Sequence, residues 1–311
     1  MNPARVAVID IGSNSIKLLV AGAGPGRPVA LRSKTLDARI SAGISSERPE
    51  LGAEGMERGV AAVKELLAEA APERAERTIL AATSAVRDAA NGAEFRARVQ
   101  AATGHAIRVL SGDEEANLIG RGLACDPALS GLEDFYLFDL GGGSLECLAF
   151  RGRRALREVS LRLGCVRLTE KFVADPQAPF PPGAAGAIAR HTRESFAAAG
   201  FAFDLPPGAA VVGTGGTLTN VRAVQGAPAG RPLEQTDTLL PVPELRAMLG
   251  WLGSLPLAER RRVPGLPPAR ADVFPAALAT LIAVAELGGF AAYRHSLYNL
   301  RWGLAAEALG L

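Results

Sequence analysis

The stretch that decides the fold is Phe135-Tyr136-Leu137-Phe138-Asp139-Leu140-Gly141-Gly142-Gly143-Ser144-Leu145-Glu146. Its first part is short, apolar and aromatic and is followed by glycines, which predicts a buried strand. The glycines leave backbone N–H groups uncovered, so a phosphate can approach the main chain closely. Asp139 and Glu146 flank the turn with two oxygen ligands of the kind that Mg²⁺ prefers. The alternative is an ordinary tight hairpin whose aspartate bonds only to turn amides.

The same plan occurs near the start of the chain, in Val6–Val20. An apolar segment leads to Asp10, and a second apolar segment begins at Ile16. The turn between them consists of Gly12, Ser13, Asn14 and Ser15. Two such units predict a duplicated architecture in which each half contributes one phosphate-binding loop. A plain hairpin that happens to occur twice with the same apex is a poorer explanation.

The composition is that of an ordinary globular protein. A chain of 311 residues is long enough for two domains with their own cores. A hydrophobic fraction of 48% with 21% charged residues argues against intrinsic disorder. The net charge of +2 provides no field that would recruit nucleic acid or an acidic membrane surface. We therefore expect neither of these as a partner.

Cysteine and histidine form no recognisable metal or redox motif. No such spacing connects the three cysteines, Cys125, Cys147 and Cys165, so a reduced, cytoplasmic setting is expected. A structural role is expected for each of the scattered histidines, His105, His191 and His295. Because Asp10 comes so early in the sequence, we expect no secretory apolar region before it. The longest apolar stretch, Val273–Ala285, is too short to span a bilayer and predicts a buried helix.

Strand and helix signals alternate along the chain, which predicts an α/β fold. The helical pattern lapses before the central stretch, so we place a domain boundary there, with domains over 1–125 and 126–296. Residues 225–243 are rich in proline and are predicted to be irregular. A C-terminal amphipathic helix, about 297–311, is expected to pack back on the first domain. Because the halves are related, the predicted active site is a cleft between the domains with one glycine turn on each wall.

A helix start with three consecutive acidic residues follows the strand predicted at 107–110. Ser111 and Glu114 form a capping-box pattern, and carboxylates in a first helical turn are favoured by the helix dipole. The cap does not need Glu115, which at the carboxyl end of a strand would overlook a cleft. There it could orient a water molecule as a general base. Stabilisation by the dipole alone is the alternative explanation.

A third strand-to-glycine turn lies in Ala210–Thr217 and contains Gly215. It has the composition of a turn that faces a phosphate or nucleotide, so Gly215 is a candidate for substrate binding. A lone glycine turn is a weak signal of such a site.

Five motifs of the chain, taken in order, resemble those of one known family. They are Asp10-Ile-Gly-Ser-Asn-Ser15, Thr83-Ser-Ala-Val-Arg-Asp88, Ser111-Gly-Asp-Glu-Glu-Ala116, Asp139-Leu-Gly-Gly-Gly-Ser144 with Glu146, and Arg162-Leu-Gly-Cys-Val-Arg167. Together they are similar to the exopolyphosphatase and guanosine pentaphosphate phosphohydrolase (Ppx/GppA) family. This chain looks like the short form of that family, which has only two actin-like (ribonuclease H-like) domains. The resemblance spans nearly the whole chain, and the combination is more specific than any single motif.

The resemblance implies Mg²⁺-dependent hydrolysis of a terminal phosphoanhydride in inorganic polyphosphate or in guanosine penta- or tetraphosphate, with Mn²⁺ as an alternative ion. It implies that Glu115 activates the attacking water and that Arg87 contacts the phosphates. The residues that match the two phosphate loops are Gly12, Ser13, Asn14 and Ser15 in the first, and Gly142, Gly143 and Ser144 in the second. Asp139 and Glu146 match the metal ligands, and Asp10 is a further candidate.

Two positions depart from the family pattern. Trp302 stands where an acidic residue is usual, and Phe274-Pro275 stand where small residues are more usual. They bear on substrate detail and domain packing more than on the reaction. Two other functions stay open: a kinase or ATPase on the same scaffold, and a non-hydrolysing sensor of polyphosphate or guanosine alarmones. The presence of Glu115 together with the two metal-ligand carboxylates argues against a pure sensor. A homodimer is also left open.

Overall fold

The computed structural model describes residues 4–41, 43–46 and 48–311, and they divide into two units of mixed α/β structure. Unit I contains Met1–Gly131, as far as it is described, and Tyr298–Leu311. Unit II contains Leu132–Leu297. Among the described residues, no helix is both long and apolar enough to cross a membrane.

Unit I is built on a five-stranded sheet with the strand order β3-β2-β1-β4-β5. Its strands are β1 (Arg5–Ile11), β2 (Ile16–Ala23), β3 (Pro28–Leu36), β4 (Arg77–Ala82) and β5 (Ile107–Val109). The first three strands are antiparallel neighbours, and β4 and β5 join them in parallel. Its helices before the unit boundary are α1 (Ala53–Ala70), α2 (Ser84–Arg87), α3 (Gly92–Thr103) and α4 (Gly112–Ala124).

The core of unit I forms where α1 and α3 pack against the sheet. Strand β1 is buried along nearly its whole length, because it lies between β2 and β4 and has helices to cover it. Helix α1 buries Met56, Val63 and Leu66 on one face, while Val60 and Leu67 are only partly buried. Apolar residues at helical spacing thus give α1 its buried face.

Unit II is built on a six-stranded sheet with the order β10-β11-β9-β6-β7-β8. Its strands are β6 (Phe135–Leu140), β7 (Leu145–Arg151), β8 (Arg154–Leu161), β9 (Ala210–Thr214), β10 (Leu239–Pro241) and β11 (Ala292–His295). Its helices are α5 (Cys165–Phe172), α6 (Ala184–Ala199), α7 (Gly216–Gly226), α8 (Val242–Ser254), α9 (Leu257–Arg260) and α10 (Phe274–Gly288). As in unit I, three antiparallel strands are extended by a parallel neighbour, here β9.

Helix α10 is the buried helix that the sequence predicted, since every residue from Phe274 to Ala285 is buried. Pro275 lies in its first turn, where a missing backbone N–H costs nothing. Strands β10 and β11 were not predicted. They have only 3 and 4 residues, and they exist through pairing with each other and with β9. The prediction of an irregular 225–243 segment was therefore wrong at β10.

The last helix, α11 (Leu300–Leu309), belongs to unit I and packs on α4 and β1. It starts later than predicted because Asn299 is its N-cap, with an extended backbone. Two glycines permit the close approach of α11 and α4. A Cβ atom on Gly122 would overlap the carbonyl oxygen of Asn299, and one on Gly303 would overlap that of Leu118. Helices α11 and α4 thus pack with their backbones in contact.

Candidate active site

The repeated sequence plan folds into the same hairpin in each unit. Loop I, Gly12–Ser15, joins β1 to β2, and loop II, Gly141–Ser144, joins β6 to β7. In loop I the first N–H donates to the last carbonyl oxygen at 3.2 Å, and in loop II the equivalent distance is 3.0 Å. The two loops thus have the same length and the same closing hydrogen bond.

The carbonyl groups of loop II are bound by the first turn of α5. The contacts are Cys165 N–H to Gly141 O at 3.0 Å, Val166 N–H to Gly142 O at 2.9 Å, and Arg167 Nε to Gly143 O at 3.0 Å. The Arg167 side chain is buried with this bond. Gly164, the N-cap of α5, allows the approach, because a Cβ there would overlap the backbone of Gly142 and Gly143. The carbonyls of the loop therefore face α5.

The N–H groups of Gly142, Gly143 and Ser144 donate to no group in the described part of the chain. Peptide N–H groups in a buried or half-buried turn nearly always have a partner. Successive N–H groups without one form a concavity that binds anions. Loop II therefore has the properties of a backbone site for an oxyanion or a phosphate. Helix α5 fixes the orientation of the loop by binding its carbonyl groups.

Loop I is held in the same way by the segment that follows β3. The N–H of Arg39 donates to Asn14 O at 2.9 Å, and Ser41 donates to Ser13 O through its N–H at 3.4 Å and its Oγ at 3.1 Å. Arg39 has a φ of 41°, an uncommon conformation for a residue with a side chain. This strained backbone conformation directs the N–H of Arg39 to the carbonyl oxygen of Asn14 in loop I.

Loop I also carries buried side-chain atoms that lack a partner. Ser13 Oγ and both amide atoms of Asn14 are buried and bond to no described group. Each unsatisfied buried polar group costs about 1–3 kcal/mol. Such a group is accounted for when a bound ligand supplies the missing hydrogen bonds. The unpartnered side-chain atoms of loop I thus indicate that the loop binds a polar ligand.

A row of polar residues crosses the sheet of unit II at the end of β6. Asp139 is directly opposite Glu146 on β7 and Thr214 on β9, and Glu146 is opposite Ser160 on β8. Registered neighbours share one face of a sheet, so both carboxylates lie on the same side. The hydroxyl of Ser160 donates to Glu146 Oε1 at 2.8 Å. In unit I the equivalent pair is Asp10 with Lys17.

The pair in unit I combines opposite charges, whereas the pair in unit II combines two like charges. This difference distinguishes the candidate metal ligands from one another. Lys17 Nζ lies 3.9 Å from Asp10 Oδ2, so the carboxylate of Asp10 has a cation of its own. Asp139 and Glu146 are two acids in the equivalent positions, an arrangement that is destabilising without a cation. No group of three or more His, Cys, Asp or Glu side chains in the described residues could hold a metal ion. The pair fits an ion such as Mg²⁺, which uses one or two carboxylates and completes its shell with water and phosphate.

Gly215, the third glycine candidate, lies against Asp139. Its φ is 94°, and a Cβ there would be 2.6 Å from Asp139 Oδ1 and 2.8 Å from Leu140 O. A side chain is therefore excluded both by conformation and by space. The turn between β9 and α7 thus packs directly on Asp139, the last residue but one of β6.

Glu115 is the one buried member of the three acidic residues at the start of α4. The capping box is confirmed, with Ser111 and Glu114 bonded reciprocally at 3.1 and 2.8 Å. The bonds from Ser111 lower the pKa of Glu114. Glu115 takes no part in the cap and accepts a bond from Arg87 Nη1 at 2.9 Å. The capping box accounts for the position of Glu114. It does not account for the burial of Glu115, which therefore indicates another role for that residue.

Arg87, which the resemblance matches to a phosphate-contacting residue, lies in unit I beside Glu115. Its Nη1 also donates to Leu110 O at 3.0 Å, and its Nε lies 3.5 Å from Asp88 Oδ1. A guanidinium has five N–H donors, so these bonds and a phosphate contact are compatible. The structure brings together Arg87 and Glu115 in unit I, and Asp139, Glu146 and Gly215 in unit II.

The sequence reasoning assigned no role to three residues that shape these sites: Lys17, Ser160 and Arg167. Lys17 could have been found from the register of the first hairpin, which places it opposite Asp10. Ser160 and Arg167 could not, because their partners are fixed by the pairing of β8 and by the packing of α5.

Residues 19–310 match the model of the Ppx/GppA phosphatase family. The chain belongs to this family. It is 34% identical over 275 residues to an uncharacterized protein of Streptomyces coelicolor, a match that covers 86% of this chain and 79% of that protein. Loop I lies before the matched range, so its similarity to loop II is shown by the shared hairpin geometry.

Solved structures show the same fold. An exopolyphosphatase from Cytophaga hutchinsonii has a TM-score of 0.85 at 24% identity, with 98% of each chain covered. The PPX-GPPA enzyme of Aquifex aeolicus has a TM-score of 0.76 at 24% identity, with 99% of each chain covered. The α/β fold with two actin-like units that the sequence predicted is therefore confirmed.

Proposed function

We propose that this protein is a Mg²⁺-dependent exopolyphosphatase that releases the terminal phosphate of inorganic polyphosphate. The observation that carries the proposal is the orientation of loop II. Its carbonyls are bound by α5, while the N–H groups of Gly142, Gly143 and Ser144 lack protein partners in the described residues. A backbone arranged in this way binds an anion without needing a particular side chain. Membership of a phosphatase family makes phosphate the expected anion.

Loop I supports the same ligand. The unpartnered atoms of Ser13 and Asn14 include hydrogen-bond donors as well as acceptors. Donors of this kind bind phosphate oxygens, and the Asn14 amide oxygen can accept from a metal-bound or free water. We assign Gly12 and Ser15 to the loop because they close it, with Gly12 N–H donating to Ser15 O at 3.2 Å.

In the proposed mechanism, Glu115 positions the attacking water and accepts its proton. Phosphoryl transfer needs positioning and charge neutralisation more than covalent chemistry, so one correctly placed carboxylate is sufficient. The 2.9 Å bond from Arg87 fixes the direction of the Glu115 carboxylate. The guanidinium of Arg87 is the proposed donor to the charged phosphoryl oxygens.

Asp139 and Glu146 are the proposed ligands of the divalent ion. Their oxygen donors suit Mg²⁺ and also Mn²⁺. When bound, the ion neutralises charge on the phosphoryl oxygens. Ser160 orients the Glu146 carboxylate through its hydrogen bond. Asp10 is a weaker candidate for this role, since its carboxylate is already paired with Lys17.

The experiment that tests this function is phosphate release from purified protein with Mg²⁺ or with EDTA. Long polyphosphate, short polyphosphate, guanosine pentaphosphate and ATP serve as the four substrates. We expect rapid, Mg²⁺-dependent release from polyphosphate, and the guanosine pentaphosphate arm shows whether the alarmone is a second substrate. Tight polyphosphate binding without release would establish a sensor instead. Rapid turnover of ATP with none of polyphosphate would establish an ATPase or kinase.

A further inference from the structure

A buried polar cluster in unit II lies outside the residues assigned so far. Its centre is Arg222 on α7, which is 4% exposed, and His295 at the end of β11, which is 3% exposed. The bonds of Arg222 are Nη1 with His295 Nδ1 at 3.0 Å, Nε to Thr236 Oγ1 at 3.0 Å, and Nη2 to Leu233 O at 2.6 Å and to Thr236 O at 2.9 Å. These contacts fix the guanidinium firmly.

The contact with Arg222 determines where His295 carries its proton. A guanidinium can only donate, so His295 Nδ1 must accept, and the ring must be neutral with its hydrogen on Nε2. Burial and the neighbouring charge of Arg222 lower the pKa of His295 to about 3, so the ring is neutral under ordinary conditions. The geometry and the charge thus select the same tautomer.

The hydrogen on Nε2 continues the chain of bonds to the third glycine turn. Thr219 Oγ1 lies 3.3 Å from His295 Nε2 and 3.1 Å from Gly215 O. Because Nε2 donates, the hydroxyl accepts from His295 and donates its own hydrogen to Gly215 O. Threonine commonly bonds to the carbonyl four residues earlier in a helix. Here a buried imidazole fixes the direction of that hydroxyl as well.

Gly215 transmits this restraint to a proposed metal ligand. A Cβ there would be 2.6 Å from Asp139 Oδ1, so the turn is in contact with the carboxylate. The strand pairing of Asp139 with Thr214 brings the two segments side by side. A shift of the turn by a fraction of an ångström would therefore change the room available to Asp139.

We propose that His295 is a positioning residue, which acts through Thr219 to hold the Gly215 turn against Asp139 and so sets the affinity of the site for its divalent ion. This inference rests on the proposed function in one respect, the assignment of Asp139 as a metal ligand. Partners that orient metal ligands typically contribute about 10- to 100-fold to metal affinity. Because His295 acts through two intermediate groups, we expect an effect at the lower end of that range.

Four variants separate this role from simple packing. His295→Asn keeps an oxygen where Nδ1 accepts from Arg222 but cannot reach Thr219. His295→Gln places an amide N–H where Nε2 donates to Thr219. Thr219→Val removes the hydroxyl with little change of shape. Thr280→Val is the matched control, because Thr280 is a buried helical threonine of unit II whose hydroxyl donates to Ala276 O, at 2.8 Å, and to no other group of the described residues.

The measurement is Mn²⁺ binding followed by electron paramagnetic resonance, with the Mg²⁺ concentration for half-maximal phosphate release as a second readout. We expect about tenfold weaker binding for His295→Asn and Thr219→Val. The double variant that combines His295→Asn with Thr219→Val should bind Mn²⁺ no more weakly than either single variant. Affinity close to that of the wild type is expected for His295→Gln and for Thr280→Val. Equal affinities for Thr219→Val and Thr280→Val would overturn the proposal, as would equal losses for both His295 variants.

A spectroscopic test on the wild-type protein does not depend on whether the variants fold. Nuclear magnetic resonance of ¹⁵N-labelled histidine should show His295 as the neutral tautomer with its hydrogen on Nε2, and a hydrogen on Nδ1 would overturn the inference. Absence of Mn²⁺ binding by the wild type would overturn the inference together with the metal assignment. Intact Mn²⁺ binding without phosphate release would overturn only the proposed function.

Discussion

Asp139 and Glu146 are directly opposite each other in strands β6 and β7, so two carboxylates share one face of the sheet. In the equivalent hairpin of unit I, Asp10 is opposite Lys17 and paired with it. The two equivalent hairpins thus carry a pair of opposite charges in unit I and a pair of like charges in unit II. The repulsive pair is the expected position of a cation.

Replacing Asp139 with Asn should remove the stabilisation that Mg²⁺ gives the protein, because the substitution removes one of the two proposed carboxylate ligands. For the wild type we expect a gain of about 2.7 kcal/mol at a Mg²⁺ concentration 100 times the dissociation constant, and for the variant almost none. Asp10→Asn is the matched control and should destabilise slightly, since it breaks an attractive pair. Thermal unfolding with EDTA and with saturating Mg²⁺ measures both effects. An equal rise in melting temperature with Mg²⁺ for the wild type and for Asp139→Asn would contradict this account of the pair.

Replacing Glu115 with Gln should keep the fold and substrate binding but lower kcat by about 10²–10⁴, the usual cost of removing a positioned base. The matched control is Glu114→Gln, since Glu114 is an exposed member of the capping box and Gln also serves in such a box. Steady-state phosphate release gives kcat for each variant. Turnover of Glu115→Gln equal to that of Glu114→Gln would remove Glu115 from the mechanism.

Arg167→Met should impair loop II, since the carbonyl of Gly143 loses its 3.0 Å bond and becomes free to turn. A misplacement of about 1 Å can cost about 10²-fold in rate, and we expect a loss of that order in kcat/KM. Arg167→Lys should recover part of it, as should added guanidinium. Arg193→Met, at an exposed position of α6, is the control. Wild-type kinetics in Arg167→Met would show that α5 does not orient the loop.

Gly303→Ala should destabilise unit I, because the added Cβ would overlap the carbonyl oxygen of Leu118 where α11 meets α4. Overpacking of this kind costs about 1–3 kcal/mol or more. Gly186→Ala, in helix α6 with no atom within 4 Å of the added Cβ, should instead gain about 0.5–1 kcal/mol. Urea unfolding measures both changes. Equal stability of the two variants would contradict the close helix packing.

His295 should make the protein less stable in mild acid. Its pKa is lowered to about 3 in the folded state, from the usual 6.5, by burial and by the charge of Arg222. The unfolded chain therefore binds one more proton between these values, and stability falls as the pH drops below about 6.5. From pH 7.5 to 5 the loss is about 2 kcal/mol. Urea unfolding of wild type and His295→Gln at both pH values should show a smaller loss in the variant, and equal losses would contradict this.

The sequence predicted the parts of the fold that local chemistry determines. The hairpins around Asp10 and Asp139, the capped start of α4 and the buried α10 all follow from residue patterns within one short segment. Strands β10 and β11 could not be found in this way, because each is too short to show a pattern and forms only by pairing. The same limit applies to Arg167 and His295, whose roles depend on partners far along the chain. The assignments of Glu115, Arg87 and the metal ligands stay predictions.

The most direct test of the central claim is phosphate release from long polyphosphate in water enriched in ¹⁸O. If the bound terminal phosphate is attacked by water, each released phosphate should contain one ¹⁸O atom, and release should stop when Mg²⁺ is removed. Polyphosphate binding without release, or release without ¹⁸O in the product, would contradict the account.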